Sequence, residues 1–410
     1  MAQSSSDLDG PLFWNPFDPA VREDPYPTYR RLREAARIHR NPLGMSILTR
    51  HADCVAVLRD RRMSSDQTRP EIRQELLAKG FPDREPQARP FLFMDPPEHT
   101  RMRSLVSKAF NARVVESLRP RIQELVDSMV GRALERGETE LVSELAYPLP
   151  VKVISELLGV PSEDHERFKA WSDALARGLD PEILLSPQEI ADRDRAVEGF
   201  GEYFAGLIAE RRRHPGEDLL SGLVQVEEQG EGLSEEDLFA TGVLLLVAGH
   251  ETTVNLIGNG VLALLRHPDQ LARLRQDPGL VKSAVEELLR FDPPVQLTMR
   301  LALQDLELGG EPISKGDPLI LLLASANHDP EVFDDPERLD LARQDNRHLS
   351  FGLGAHFCLG APLARLEAQI AIGTLVARAG HLRLAGPPPR RKDNLVLRGL
   401  ESLHLELAPA

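Results

Sequence analysis

Between Ser234 and the His267-Pro268 pair the chain holds one helix-length run with no internal stop. Ser234-x-x-Asp237 has the form of a capping box, in which two side chains satisfy free backbone N–H groups at a helix start. Pro268 disfavours helical backbone at His267 and closes the run. At about 1.5 Å per residue this helix is on the order of 45 Å long, enough to cross the whole molecule. Its interior, including LFATGVLLLVAG (238–249), is apolar on nearly every face, so the rest of the chain has to be built around it. That apolar stretch is shorter than a bilayer span and leads directly into His250 and Glu251, which points to a buried core helix.

The remainder must supply that surrounding body. With 410 residues, 41% of them apolar, a sizeable core is available. Apolar spacing of three and four predicts helices over 98–110, 120–137 and 197–216. Short β-like segments appear at 301–313, 318–327 and 400–407, so the fold class is mainly α with small β-sheets. No linker, charge block or repeat divides the chain; residues 1–15 read as a flexible tail and 16–410 as a single domain. The balance of 49 basic against 64 acidic residues, a net charge of −15, argues against a nucleic-acid partner. Two cysteines far apart suit a reducing compartment. The start, MAQSSSDLDG, lacks the basic and apolar regions of a secretory signal. A soluble cytoplasmic protein with no membrane partner is expected.

One of those cysteines lies in FGLGAHFCLG (351–360), too glycine-rich for a good helix or strand. Gly352, Gly354 and Gly360 permit positive φ and close approach to something flat or bulky. In the next segment Leu359, Leu363, Leu366 and Ile370 form a helical stripe, with Pro362 in its first turn and Gly380 at its end. Cys358 thus precedes a helix start, where the dipole and free N–H groups favour thiolate. Three readings stay open: a small buried hydrophobe, a nucleophile paired with His356, and a metal ligand. A thiolate held by backbone donors suits an axial ligand to haem iron. Zinc or iron–sulfur sites would need more cysteines.

Further motifs lie elsewhere. AGHETT (248–253) sits midway along the long helix. Ala248 and Gly249 have little or no side chain, so the helix can pass close over a flat ligand, while Glu251 and Thr252 add a carboxylate and a hydroxyl. The plain readings of that pair are a buried ion pair and a hydroxyl bonded back to its own helix. Glu287-x-x-Arg290 places opposite charges on one helix face, although the same spacing recurs at Glu34/Arg37, Glu98/Arg101, Glu116/Arg119 and Glu210/Arg213. DPPEHTRMR (95–103) sets His99 and Arg103 on one helix face, and TMRLAL carries Arg300.

Together these segments make the chain resemble the cytochrome P450 family, the haem-thiolate monooxygenases, and in particular its soluble bacterial members, from about Pro16 onward. Phe351-Gly352-x-Gly354-x-His356-x-Cys358-x-Gly360 matches the family's ligand loop at every fixed position. The resemblance implies the P450 fold, with the long central helix over haem b (iron protoporphyrin IX) and the cysteine loop beneath. It makes Cys358 the proximal iron ligand and places His99, Arg103, Arg300 and His356 at the haem propionates. Ala248, Gly249, Phe351 and Gly352 would border the ring. Glu251 and Thr252 would deliver protons. Glu287 and Arg290, joined by Arg338 of DDPERLD, would brace the haem-side core. The substrate pocket would include Leu244, Ala248, Val295, Leu297 and Thr298, beside the stretches 63–93 and 165–195. Departures are small: His328 stands where the family usually has arginine, and Leu339 replaces a frequent phenylalanine.

The reaction so implied inserts one oxygen atom from O2 into a lipophilic small molecule, by hydroxylation or epoxidation. No fused reductase follows the cysteine loop, so electrons are expected from a ferredoxin or flavodoxin with an NAD(P)H-dependent reductase. Such a donor would dock near Lys108, Arg113 and Arg347 on a monomeric enzyme. Three rivals are weaker. A peroxygenase of this family replaces the acid–alcohol pair, a haem gas sensor usually carries an output domain, and a cysteine hydrolase lacks an orienting third group.

Overall fold

The protein is described by a computed structural model covering residues 14–16, 18–41, 45–80, 89–107, 110–228 and 234–410. Most of the expected tail, part of the 63–93 stretch and Lys108 lie outside the described residues.

Glu235–Arg266 forms one uninterrupted 32-residue helix. The capping box closes as its sequence requires: Asp237 N–H donates to Ser234 Oγ, and Ser234 N–H to Asp237 Oδ2, each at 3.0 Å. At the other end His267 leaves the helical region, and Pro268 opens the next helix. Helices Pro148–Leu158, Val281–Phe291 and Ala361–Arg378 pack directly on this central helix. Its length and composition would also suit a membrane span, but 67% of its most apolar window is buried within the protein. The apolar pattern is met by surrounding protein along most of the helix, most completely from Thr253 to Leu264.

The predicted helix over 120–137 is observed as Arg119–Arg136, stopped by Gly137 at φ 76°. The one expected over 197–216 starts earlier, at Pro187, because Ser186 and Glu189 form a second capping box ahead of a charged, exposed first half. Among the described residues the β-like segments become part of three small sheets. The largest orders Ile38–Arg40, Ser46–Leu48, Pro318–Leu321, Thr298–Ala302 and Met63–Ser64. Only the contact between Ser46–Leu48 and Pro318–Leu321 is parallel. Leu306–Leu308 and Glu311–Ile313 make a hairpin, turned by Gly309 and Gly310 at φ 60° and 88°. Glu138–Glu140, His404–Pro409 and Ala379–Leu384 form the third sheet. The 318–327 segment is strand only to Leu321 and then turns into the short helix Leu323–Ala326. The fold is mainly α with small sheets, as expected from sequence.

Candidate active site

The cysteine loop is held by its own backbone. Cys358 N–H donates to the Phe351 carbonyl at 2.9 Å, closing the loop over Gly352 and Gly354, whose φ values are 66° and 73°. A Cβ on Gly354 would lie 2.5 Å from the Leu58 carbonyl oxygen, so that glycine is required by a close approach as well as by φ. Gly360 differs from the expectation: its φ is −79° and it caps the helix Ala361–Arg378. Cys358 is exposed to the site. Burial among protein atoms pushes its thiol up, while the Gly360 N–H, the Arg103 guanidinium, the Ala361 N–H and Arg365 pull toward thiolate. A coordinated metal would deprotonate the sulfur outright.

Beside the cysteine lies a basic group of four. The His99 and His356 rings lie against each other at a tilt of 37°, with centroids 4.1 Å apart. Arg103 Nη2 donates to the Phe357 carbonyl at 2.6 Å, and Arg300 Nη1 to the Met299 carbonyl at 2.7 Å and Thr298 Oγ1 at 3.1 Å. His99 is only 2% exposed, yet neither ring nitrogen has a hydrogen-bond partner. Burial disfavours the charged form throughout the group. It lowers Arg103 and His99, takes Arg300 down to about 10, and takes His356, which also feels His99 and Arg300, to about 3. Asp95 is the anion that opposes these shifts at His99, Arg300 and His356. Two arginines converging with two histidines, one of them with both ring nitrogens unpartnered, call for a dianionic ligand. The paired carboxylates of haem fit that demand, with one exposed thiol nearby to meet the iron. Among the described residues no cluster of three or more His, Cys, Asp or Glu offers a competing metal site.

The central helix is accessible along part of its middle section. Leu244, Ala248 and Thr252, four residues apart, are accessible, while the residues from Thr253 to Leu264 are buried. The Thr252 hydroxyl donates back to the Ala248 carbonyl at 2.9 Å, which leaves its oxygen lone pairs facing outward. Glu251 is buried and turned elsewhere, with Oε2 3.2 Å from Lys392 Nζ and Oε1 3.6 Å from His250 Nε2. Burial would raise this carboxyl; the His250 contact and the Lys392 charge outweigh it and hold the group below the usual carboxylate range. Lys392 also reaches Asp173 Oδ1 at 3.7 Å. Both plain readings of the pair are therefore present in the fold: a back-bonded hydroxyl and a buried ion pair.

Other expectations need correction. Arg338 does not join Glu287 and Arg290: its side chain is 60% exposed, because its carbonyl is what Arg290 and Arg343 bind. Arg343 takes the role, 3.0 Å from Glu287 Oε2. Leu297, just ahead of the strand Thr298–Ala302, is buried in a core cluster with Tyr29 and Ile47 and leaves the proposed pocket. Gly249 serves a close approach, but to helix Pro148–Leu158, where its Cβ would meet Ile154 at 3.1 Å. Val295, Thr298 and Phe351 remain partly accessible. His328 and Leu339 are buried, the former with Nε2 2.9 Å from the Phe291 carbonyl. Arg113 and Arg347 are exposed, and Arg347 pairs with Asp345. Sequence reading missed Lys392, Asp173 and Arg343, which lie outside any motif. It also missed Glu367, a buried carboxyl without a hydrogen-bond partner, pushed up to about 8 by burial.

A mainly helical body with one accessible thiol, a basic pocket and a small-residue opening in a buried helix defines a haem-thiolate protein. The Cytochrome P450 family model matches residues 68–397. Cytochrome P450 107B1 of Saccharopolyspora erythraea is 44% identical over 94% of this chain and 96% of its own length. The vitamin D(3) 25-hydroxylase of Pseudonocardia autotrophica is 40% identical over 98% of this chain and 96% of its own. The crystal structure of CYP164A2 from Mycobacterium smegmatis superposes with a TM-score of 0.88 and 47% identity, covering 95% of this chain and 98% of that one. The chain belongs to the cytochrome P450 family. It is a haem-thiolate monooxygenase that inserts one oxygen atom from O2 into a lipophilic organic substrate, drawing its electrons from a redox partner.

Proposed function

We propose that Cys358 is the iron ligand and that His99, Arg103, Arg300 and His356 hold the haem propionates. The observation that carries this reading is the pair of unpartnered His99 ring nitrogens, buried among three other basic side chains next to the exposed thiol. Bound haem supplies the iron chemistry that activates O2. The residues around it bind, orient and move protons. Ala248, Phe351 and Gly352 border the ring, with Gly249 allowing the helix its path; Leu244, Ala248, Val295 and Thr298 face the substrate. Thr252 presents its oxygen lone pairs at the stripe, where they can accept a proton-bearing water. Glu251 delivers protons from the side of Lys392 and Asp173, which is the half-exposed end of the chain of groups.

Residues 16–410 act in this reading as a single cytoplasmic, monomeric unit served by a ferredoxin or flavodoxin and an NAD(P)H-dependent reductase. The exposed Arg113 and Arg347 offer an acidic donor a basic landing point despite the chain's net charge of −15. A steroid-like or other lipophilic natural product is the expected substrate class, as the name of the Pseudonocardia relative indicates for that protein. The test is Cys358→Ala: the purified variant should lose the thiolate-type carbon monoxide spectrum while keeping its helical content. An unchanged spectrum would move the ligand elsewhere. Turnover with NAD(P)H and a ferredoxin system, against peroxide alone, separates monooxygenase from peroxygenase use.

A further inference from the structure

On the sulfur side of the site lies a charge cluster that the readings above leave unused. Arg365, on the helix that follows the cysteine, pairs in two-pronged fashion with Glu286 of helix Val281–Phe291: Nε to Oε1 is 2.7 Å and Nη2 to Oε2 is 2.8 Å. Glu286 Oε2 also lies 3.1 Å from His348 Nε2. The Ser350 N–H donates to His348 Nδ1 at 3.2 Å, so Nδ1 carries a lone pair and Nε2 carries the proton that Glu286 accepts. The Arg365 guanidinium lies over the Phe351 ring, 4.5 Å from its centroid. Phe351 in turn accepts the Cys358 N–H through its carbonyl. A guanidinium, an aromatic ring and the cysteine's own peptide are thus joined in one arrangement, with Glu286 as counter-charge and His348 as its clamp.

We propose that Arg365 is a positioning residue that sets, with Glu286 as its counter-ion, how readily the thiolate-bound iron takes up an electron. The inference rests on Cys358 being the ligand. Reduction adds negative charge to the site, and a nearby cation favours the more negative state while a nearby carboxylate opposes it. The Arg365 guanidinium lies against Phe351, whose carbonyl accepts the Cys358 N–H, so its charge sits one ring away from the loop that holds the sulfur. Glu286 discounts the effect without abolishing it, because the carboxylate meets the guanidinium at its Nε/Nη2 edge while the Phe351 ring lies against its face, and the carboxylate is shared with His348.

The test is the one-electron reduction potential of the haem-loaded protein, with the carbon monoxide spectrum recorded in parallel. Arg365→Met should make reduction harder and Glu286→Gln should make it easier. Each shift is expected to be up to about tenfold in the reduction equilibrium, which is about 59 mV for one electron. The double variant should fall between the two single variants, and Arg365→Lys, which keeps the charge and loses the flat stack, should stay nearer the parent than Arg365→Met. Shifts of the same sign, or none, would overturn the proposal in favour of a purely structural cluster. If Arg365→Met fails to hold haem, the rise in Glu286→Gln and the near-parent value of Arg365→Lys still decide it. Absence of a thiolate-type spectrum in the parent would instead sink the ligand assignment, a different failure.

Discussion

The sulfur side of the site and the open stripe of the central helix bury their charges on opposite principles. Below the site, Glu287 accepts from Arg290 at 2.8 Å through both oxygens, from Arg343, from Asn346 and from the Asp340 N–H. Arg290 also donates to the carbonyls of Asn327, Pro336 and Arg338. Above it, His250 Nε2 and Glu251 Oε1 are buried without a hydrogen-bond partner. Over-satisfied charges fix a geometry, and under-satisfied ones are the groups able to take up or pass on a proton. The difference fits a site that must keep its ligand still on one side and exchange protons on the other.

The sharpest way to break that comparison is to remove one partner below. Arg290→Leu leaves Glu287 buried with its main charge partner gone, a change expected to cost about 3–5 kcal/mol and most of the haem-loaded fraction. Denaturant unfolding reads the first quantity and haem absorbance per protein the second. A loss under about 1 kcal/mol would mean that Arg343 carries the pair by itself and that the lower side is not over-determined.

Above the site, the expected loss is in chemistry and not in stability. Thr252→Ala removes one hydroxyl whose bond returns to its own helix at Ala248, so unfolding should change little. Product formed per electron should fall steeply, in the range of about 10²-fold for a lost proton-transfer group, with the electrons appearing as hydrogen peroxide. Product and peroxide assayed together check this. Tight coupling in the variant would take Thr252 out of proton delivery and blur the contrast between the two sides.

What the sequence revealed divides along the same line. The central helix, its capping box, the cysteine loop and the Glu287/Arg290 pair were legible because each is encoded within a few residues of itself. The neighbours that complete them come from far along the chain. Lys392 meets Glu251 across 141 positions, and nothing near Lys392 marks it as a partner. Arg338 was mistaken for Arg343 because both lie in one loop, and only the fold decides which side chain turns inward and which lends its carbonyl. Leu297 was misplaced for a related reason, since only the fold shows that this residue, just ahead of the strand Thr298–Ala302, packs into the cluster with Tyr29 and Ile47. The i,i+3 pairs also needed the fold: Glu116/Arg119 is an exposed pair, while Arg37 turns away from Glu34 to Asp53.

A smaller effect should come from Lys392→Met. The His250 contact and, after it, the Lys392 charge hold the buried Glu251 carboxylate at about 2, below its unfolded value of about 4.5, so the contribution is present above pH 4.5 and lost as pH falls through the folded value. Without the cation the depression shrinks, and the variant should be less stable by about 1–3 kcal/mol at neutral pH. The gap between parent and variant should then narrow as the pH drops below about 4.5. Urea unfolding at pH 7, 5 and 4 measures it. A gap that stays constant from pH 7 to 4 would mean that Glu251 does not titrate as a depressed carboxylate, and the upper side would then hold its proton at rest instead of receiving it.

The smallest effect tests whether over-determination below extends to every residue of the cysteine loop. Gly360 has an ordinary negative φ, and nothing lies within 4 Å of the position a Cβ would take. Gly360→Ala keeps the N–H that faces the sulfur and should cost under about 1 kcal/mol, chiefly from a poorer helix cap. Gly354→Ala, by contrast, must displace the Leu58 carbonyl and hold an alanine at φ 73°, so it should lose haem as well as stability. Thermal unfolding and haem content of the two variants make the comparison. If Gly360→Ala proved as damaging as Gly354→Ala, the third glycine would be serving the space around the bound haem, and the loop's rigidity would come from its ligand more than from its own hydrogen bonds.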